Sequence, residues 1–351
     1  MADQPVSKAK KLGTKEDDWG VISSSFVETE RFFHYTGAEG LLGILNSDCF
    51  WATQYQFLND RREIRAAERI LQIHLAKGIH RRVAAMKVNG ELYVEPGTNL
   101  KDVSKEEAEA IVQSHYDATL SFMAPYITSF FLCDEAKSPT LFKDGILRHW
   151  ATYGRAGGFA IQISPQKLYN ALVASNRDQS HSGVLQTRVI YPDDEDRIDD
   201  ELGSDFDTLL NVGVRLMEER LRDEKIDGDL RKAIEDSYLS FCRVVSSIKL
   251  PYFADENEAR VVIFRPSVIS AKKTGKKKPP HMVHLRPGLS SPVPYIKLLE
   301  NLVLSSGCIE RIIVGPSSEN KMSKIALDGF LEARELDIQV TLSDVPYLTT
   351  R

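Results

Sequence analysis

Apolar and polar positions along this chain switch repeatedly between a period of two and a period near 3.6, and the switches mark its elements. Residues 31–36 (RFFHYT) read as a short strand. In AEGLLGILNSD, Leu41, Leu42, Ile44 and Leu45 fall on one side of a short helix that ends near Asn46 and Ser47. FWATQYQFLND is strand-like and closes on a turn at Asn59–Asp60. From Arg62 to about Lys87, apolar residues recur at Ile64, Ala67, Ile70, Leu71 and Leu75, which predicts a helix. Ser104 with Glu107 three residues on reads as a capping box that opens another. Next come a strand (Ile127 to Cys133), a helix (Leu141 to Tyr153), a turn at Gly157–Gly158 and a strand (Phe159 to Ile163). Beyond residue 165 lie the strand-like VLQTRVIY, an acidic loop PDDEDRIDDELGSD, and amphipathic helices at about 206–221 and 230–245. ARVVIF, IERIIVGP and IQVTLSD read as strands, the last two separated by a helix in KMSKIALDGFLEARELD. Strands and helices mix without regular βαβ alternation, so the predicted class is α+β and not a doubly wound sheet.

Composition narrows the picture. With 351 residues, 42% of them hydrophobic, the chain can build one large core or two modest ones. Residues 1–20 are charged and poor in branched apolar residues, so they predict a flexible tail. Residues 21–351 then form a single domain with a helical insert at about 200–248. A formal net charge of −5 gives no global basic footprint for nucleic acid. Four dispersed cysteines without a CxxC pair suggest a reduced, cytoplasmic protein with no zinc knuckle. No apolar run approaches membrane-spanning length, so no membrane partner is expected. The oligomeric state cannot be read from these residues.

Four places hold candidate chemistry. His34 stands at a strand end just before a turn, where sites concentrate, although most lone histidines are structural. In ADENEARVV, alternation puts Glu256, Glu258 and Arg260 on one face of a strand. That face is either a wet edge or a carboxylate held ionised by Arg260 in a cleft. Trp150 and Tyr153, three apart on one helix face, are either core or one wall of a pocket for a flat ring. The lysines at 272, 273, 276, 277 and 278 form a basic loop, followed by His281 and His284 with too few neighbouring ligands to predict a metal. Neither GxGxxG nor GxxxxGK[ST] occurs.

Along most of its length the chain resembles the bacterial family catalogued as domain of unknown function 2971. The resemblance rests on FHYTGAEGLLGILNSDCFWATQYQFLND, SFFLC, HWATYGRAGGFAIQI, KLPYFADENEARVVI, IIVGP and SDVPY. The order of motifs is also similar to ADP-ribosyltransferases of the diphtheria-toxin and poly(ADP-ribose) polymerase type. His34, Thr36, Ile44 and Ser47 match their first motif, ITSFFLC with Trp150 and Tyr153 stands at the second, and Glu256 and Glu258 reproduce a Glu-x-Glu third motif. Tyr35 stands where the toxin branch usually has glycine.

The resemblance implies split antiparallel sheets around a cleft, with NAD as substrate and no metal. It implies Glu258, Glu256 and His34 as catalytic residues, and NAD contacts from His34, Tyr35, Thr36, Ser129, Trp150, Tyr153 and Arg260. Glu258 would stabilise an oxocarbenium-like centre, Glu256 would assist the acceptor as a base, and His34 would bind a ribose hydroxyl. The expectation is an NAD-dependent ADP-ribosyltransferase or NAD glycohydrolase that modifies an unknown protein or nucleic acid, as a toxin or phage-defence effector. The alternatives are an RNA 2′-phosphotransferase or phosphoesterase-like enzyme on the same fold, and a non-catalytic nucleotide- or nucleic-acid-binding module.

Overall fold

The structure, a computed structural model, describes residues 21–58, 63–154, 157–178, 183–191, 195–266, 281–288 and 291–346. The predicted N-terminal tail, the turn at Asn59–Asp60 and the lysine run lie outside the described residues. Among the described residues, eleven strands form one mixed sheet: β1 (Val21–Ser23), β2 (Glu30–Thr36), β3 (Phe50–Gln54), β4 (Met123–Asp134), β5 (Phe159–Ile163), β6 (Gly183–Arg188), β7 (Glu258–Pro266), β8 (His284–Arg286), β9 (Val293–Leu298), β10 (Ile309–Val314) and β11 (Gln339–Leu342). The main path runs β1-β6-β7-β4-β2-β5-β10-β11, with parallel pairing only at its two outer pairs. The α+β class holds. In place of two sheets facing across a cleft, there is one connected sheet that divides along β4.

The division follows from the length of β4. One edge pairs with β7 from Met123 to Phe131. The other edge is shared: β3 takes Tyr126 and Ile127, while β2 takes Phe131 to Asp134. Between those attachments the His34 ring bonds the Ser129 carbonyl, with Nδ1 to oxygen at 3.2 Å.

Nine helices among the described residues cover the sheet: α1 (Ala38–Ser47), α2 (Glu63–Val88), α3 (Leu100–Phe122), α4 (Pro139–Asp144), the single turn α5 (Leu147–His149), α6 (Pro165–Asp178), α7 (Glu195–Arg222), α8 (Gly228–Ser247) and α9 (Asn320–Glu332). On one face, Phe32, Phe130, Leu132, Ile161, Ala259 and Val261 pack with leucines of α1, α6 and α9. On the other face, Ile127, Leu185, Val262 and Phe264 pack under α2, α3, α7 and α8, so the predicted insert joins two earlier helices in one lobe. A smaller aromatic core of Phe33, Tyr35, Phe131, Phe142 and Trp150 lies further along that second face. Burying each such side chain contributes about 1.5–3 kcal/mol before the entropy of ordering it.

Several local expectations change. Helix α3 begins at Leu100, and Ser104 lies buried inside it, its hydroxyl bonded to the Leu100 carbonyl at 2.6 Å. The i−4 carbonyl satisfies the hydroxyl there, so no capping box forms. Much of the predicted acidic loop is the first part of α7. The predicted helix from Leu141 to Tyr153 is broken at Gly145, whose φ of +78° favours glycine, and it ends in a π-helical turn at Trp150–Gly154. Leu42 points outward while Leu41, Ile44 and Leu45 are buried.

A buried carboxylate cluster as the candidate functional site

A six-residue 3-10 segment, Pro251–Glu256, feeds β7. Asn257, at φ +37°, turns the chain, and its amide donates to the Leu132 carbonyl. Glu256 therefore precedes the strand and does not alternate with Glu258, as the sequence pattern had suggested. It reaches the cluster by another route: Lys249 Nζ donates to Glu256 Oε2 at 2.6 Å and to Glu258 Oε2 at 3.0 Å.

Glu258 and Arg260 do share a face. Arg260 forks onto both carboxylate oxygens, Nε to Oε1 at 2.7 Å and Nη2 to Oε2 at 3.0 Å. Its Nη1 donates to the Ser246 carbonyl at 3.1 Å, and the nearby Ser129 hydroxyl also favours the ionised form of Glu258. Strand β7 lies between β6 and β4, so this is no wet edge: Arg260 is only 1% exposed and Glu258 only 6%. Burial works to raise the Glu258 carboxyl, but Arg260 and then Lys249 outweigh it and hold it at about 2. The carboxylate is ionised at neutral pH.

Register fixes what shares that face. Phe131 is opposite both Phe33 and Glu258, and Ser129 is opposite Arg260. Tyr35, two beyond Phe33, is therefore on the Glu258 side. Its hydroxyl accepts from the Ile146 amide at 3.0 Å, and its ring lies edge-on to Trp150 at 4.9 Å. Trp150 is 3% exposed, and its Nε1 donates to the Asp144 carbonyl. The π-helical turn separates it from Tyr153, which is 37% exposed. Of the two aromatics read as a pair, Trp150 is core and Tyr153 lies at the rim.

His34 and Thr36 belong to the opposite face. The His34 ring packs edge-on against Phe50 and Phe130, and burial lowers its pKa against the raising effect of the Ser129 carbonyl. Thr36 turns toward α1, its side chain filling the space a Cβ on Gly40 would need. The expected convergence of His34 with Glu258 is thus corrected: strand β4 lies between their strands, and their side chains point to opposite faces of the sheet.

Sequence reasoning missed Lys249, which has no local signal, and His149, which stands inside the quoted HWATYG. It also missed Tyr191, whose hydroxyl accepts from the Glu258 amide at 3.4 Å. Among the described residues no group of three or more His, Cys, Asp or Glu is arranged to hold a metal. No protein-family model matches the chain, and no curated protein or solved structure is significantly similar to it.

Proposed function

We propose that this protein consumes NAD, as an ADP-ribosyltransferase or NAD glycohydrolase, and that its chemistry lies on the Glu258 face of the sheet. The observation that carries this reading is the adjacency of β7, β4 and β2, the three strands bearing the matched motifs. Their neighbourhood brings Glu258, Arg260, Ser129 and Tyr35 to one face. It also leaves His34 out of the chemistry and gives it a structural role.

Cleaving the bond between nicotinamide and ribose develops positive charge on the sugar. A carboxylate ionised in advance and fixed by Arg260 needs no reorganisation to stabilise that charge. Lys249 offsets part of its field, so the bridge to Glu256 sets how much of the negative potential reaches a substrate. Half-buried Glu256 is the better placed of the two carboxylates to meet an acceptor or a water as base. Tyr153, at the rim, supplies a ring face for stacking.

The test is release of nicotinamide from NAD labelled in that ring, with protein and nucleic acid supplied as acceptors. Release that falls about a hundredfold to a thousandfold in Glu258→Gln, with the variant still folded and binding NAD, is expected. NAD binding without release would favour the non-catalytic module instead. Neither binding nor release would sink the reading.

A further inference from the structure

His149 is 5% exposed, and its Nδ1 has no hydrogen-bond partner among the described residues. Its ring lies 4.9 Å from Tyr35, 4.9 Å from Phe131 and 5.8 Å from Tyr153. Phe131 is the residue directly opposite Glu258, so this imidazole covers the sheet one strand from the carboxylate, on the same face. The next residue back, Arg148, pairs with Asp255 at 3.3 Å, which ties α5 to the segment that delivers Glu256.

An imidazole among aromatic rings is a costly way to fill space. Burying a nitrogen without a partner costs about 1–3 kcal/mol, and a phenylalanine would pack there without that penalty. Resting on the NAD reading above, we propose that His149 is a substrate-positioning residue that hydrogen-bonds the carboxamide of nicotinamide, whose ring stacks beside the exposed Tyr153. The carboxamide carries both a donor and an acceptor, so it satisfies the orphaned nitrogen in either tautomer. The charge state fits as well. Burial, with Arg148 nearby, holds His149 at about 4, so the imidazole is neutral at pH 7 and does not repel the cationic nicotinamide ring of NAD.

The deciding variant is His149→Phe, which keeps the aromatic packing and removes the nitrogens. Thermal stability should be unchanged or higher. KM for NAD and the inhibition constant of free nicotinamide should both rise about tenfold, with kcat changed much less. His149→Asn, which restores a donor and an acceptor, should recover part of the nicotinamide affinity while packing less well. If the wild type turns over NAD and His149→Phe leaves KM and nicotinamide inhibition unchanged, the role of His149 is overturned while the NAD reading stands. A wild type that binds neither NAD nor nicotinamide overturns both.

Discussion

Glu258 sits at the centre of a buried charge cluster. Its two oxygens hold a guanidinium and an ammonium in a nearly dry site, and removing one partner of such a cluster typically costs about 3–5 kcal/mol. Arg260→Leu should therefore lower the denaturation midpoint strongly, whatever it does to turnover, because it strands the carboxylate. The Glu258 carboxyl is held below its unfolded value, so its contribution is complete above about pH 4.5 and fades as pH falls toward 2. Urea titrations across that window should show the loss in wild type and its absence in Glu258→Gln. For His34→Ala the expectation is the reverse of a catalytic defect: about 1–3 kcal/mol less stability and an unchanged kcat in the folded fraction. The pairing of Glu258 with Arg260 was readable from their spacing, because a period of two operates within one strand. The separation of His34 from Glu258 was not. Relative face between strands depends on register, which is set by tertiary packing and has no local signature.

At the scale of elements, β5, β7, β10 and α1 were accurately foreshadowed, since each combines a clean apolar period with a turn or glycine at its end. Residues 141–153 read as one helix because their apolar spacing permits one, and the break comes from packing. A Cβ on Gly145 would stand 2.8 Å from the Trp150 ring, at a φ that side chains rarely adopt. Gly145→Ala should accordingly cost more than 1 kcal/mol, read as a lower melting temperature, and should disturb NAD binding through the displaced α5 turn. Ser104 misled for a related reason. A serine followed by glutamate three residues on marks a helix start only where the chain before it is not already helical, and Leu100 begins α3 a full turn earlier.

For the whole molecule, histidines that burial keeps neutral set an acid limit; His34 is lowered, and His281 is pushed down to about 4. His149 and His115, the latter bonded to Ser237 at 2.7 Å in the helical lobe, are each pushed down to about 4, mainly by burial. The unfolded chain binds those protons near pH 6.5, so stability present above that value is lost progressively as pH falls toward 4. Equilibrium unfolding at pH 5 should show a lower midpoint than at pH 7.5, and His115→Phe should narrow the difference if the larger ring is accommodated.

The shared edge of β4 has a consequence for how the fold is acquired. In the graph of strand pairings among the described residues, β4 is the vertex where three branches meet: β7-β6-β1, β2-β5-β10-β11 and β3-β9-β8. Delete that vertex and the graph falls into three unconnected pieces. Every partner of β4 is distant in sequence, the last of them, β7, by more than a hundred residues, so the loops that bring them together must close at an entropic cost before the ladder rewards it. Strand β4 is common to all three branches, so substitutions in β4 are expected to slow refolding more than equally destabilising substitutions in β10 or β11, read from the folding limbs of their chevrons.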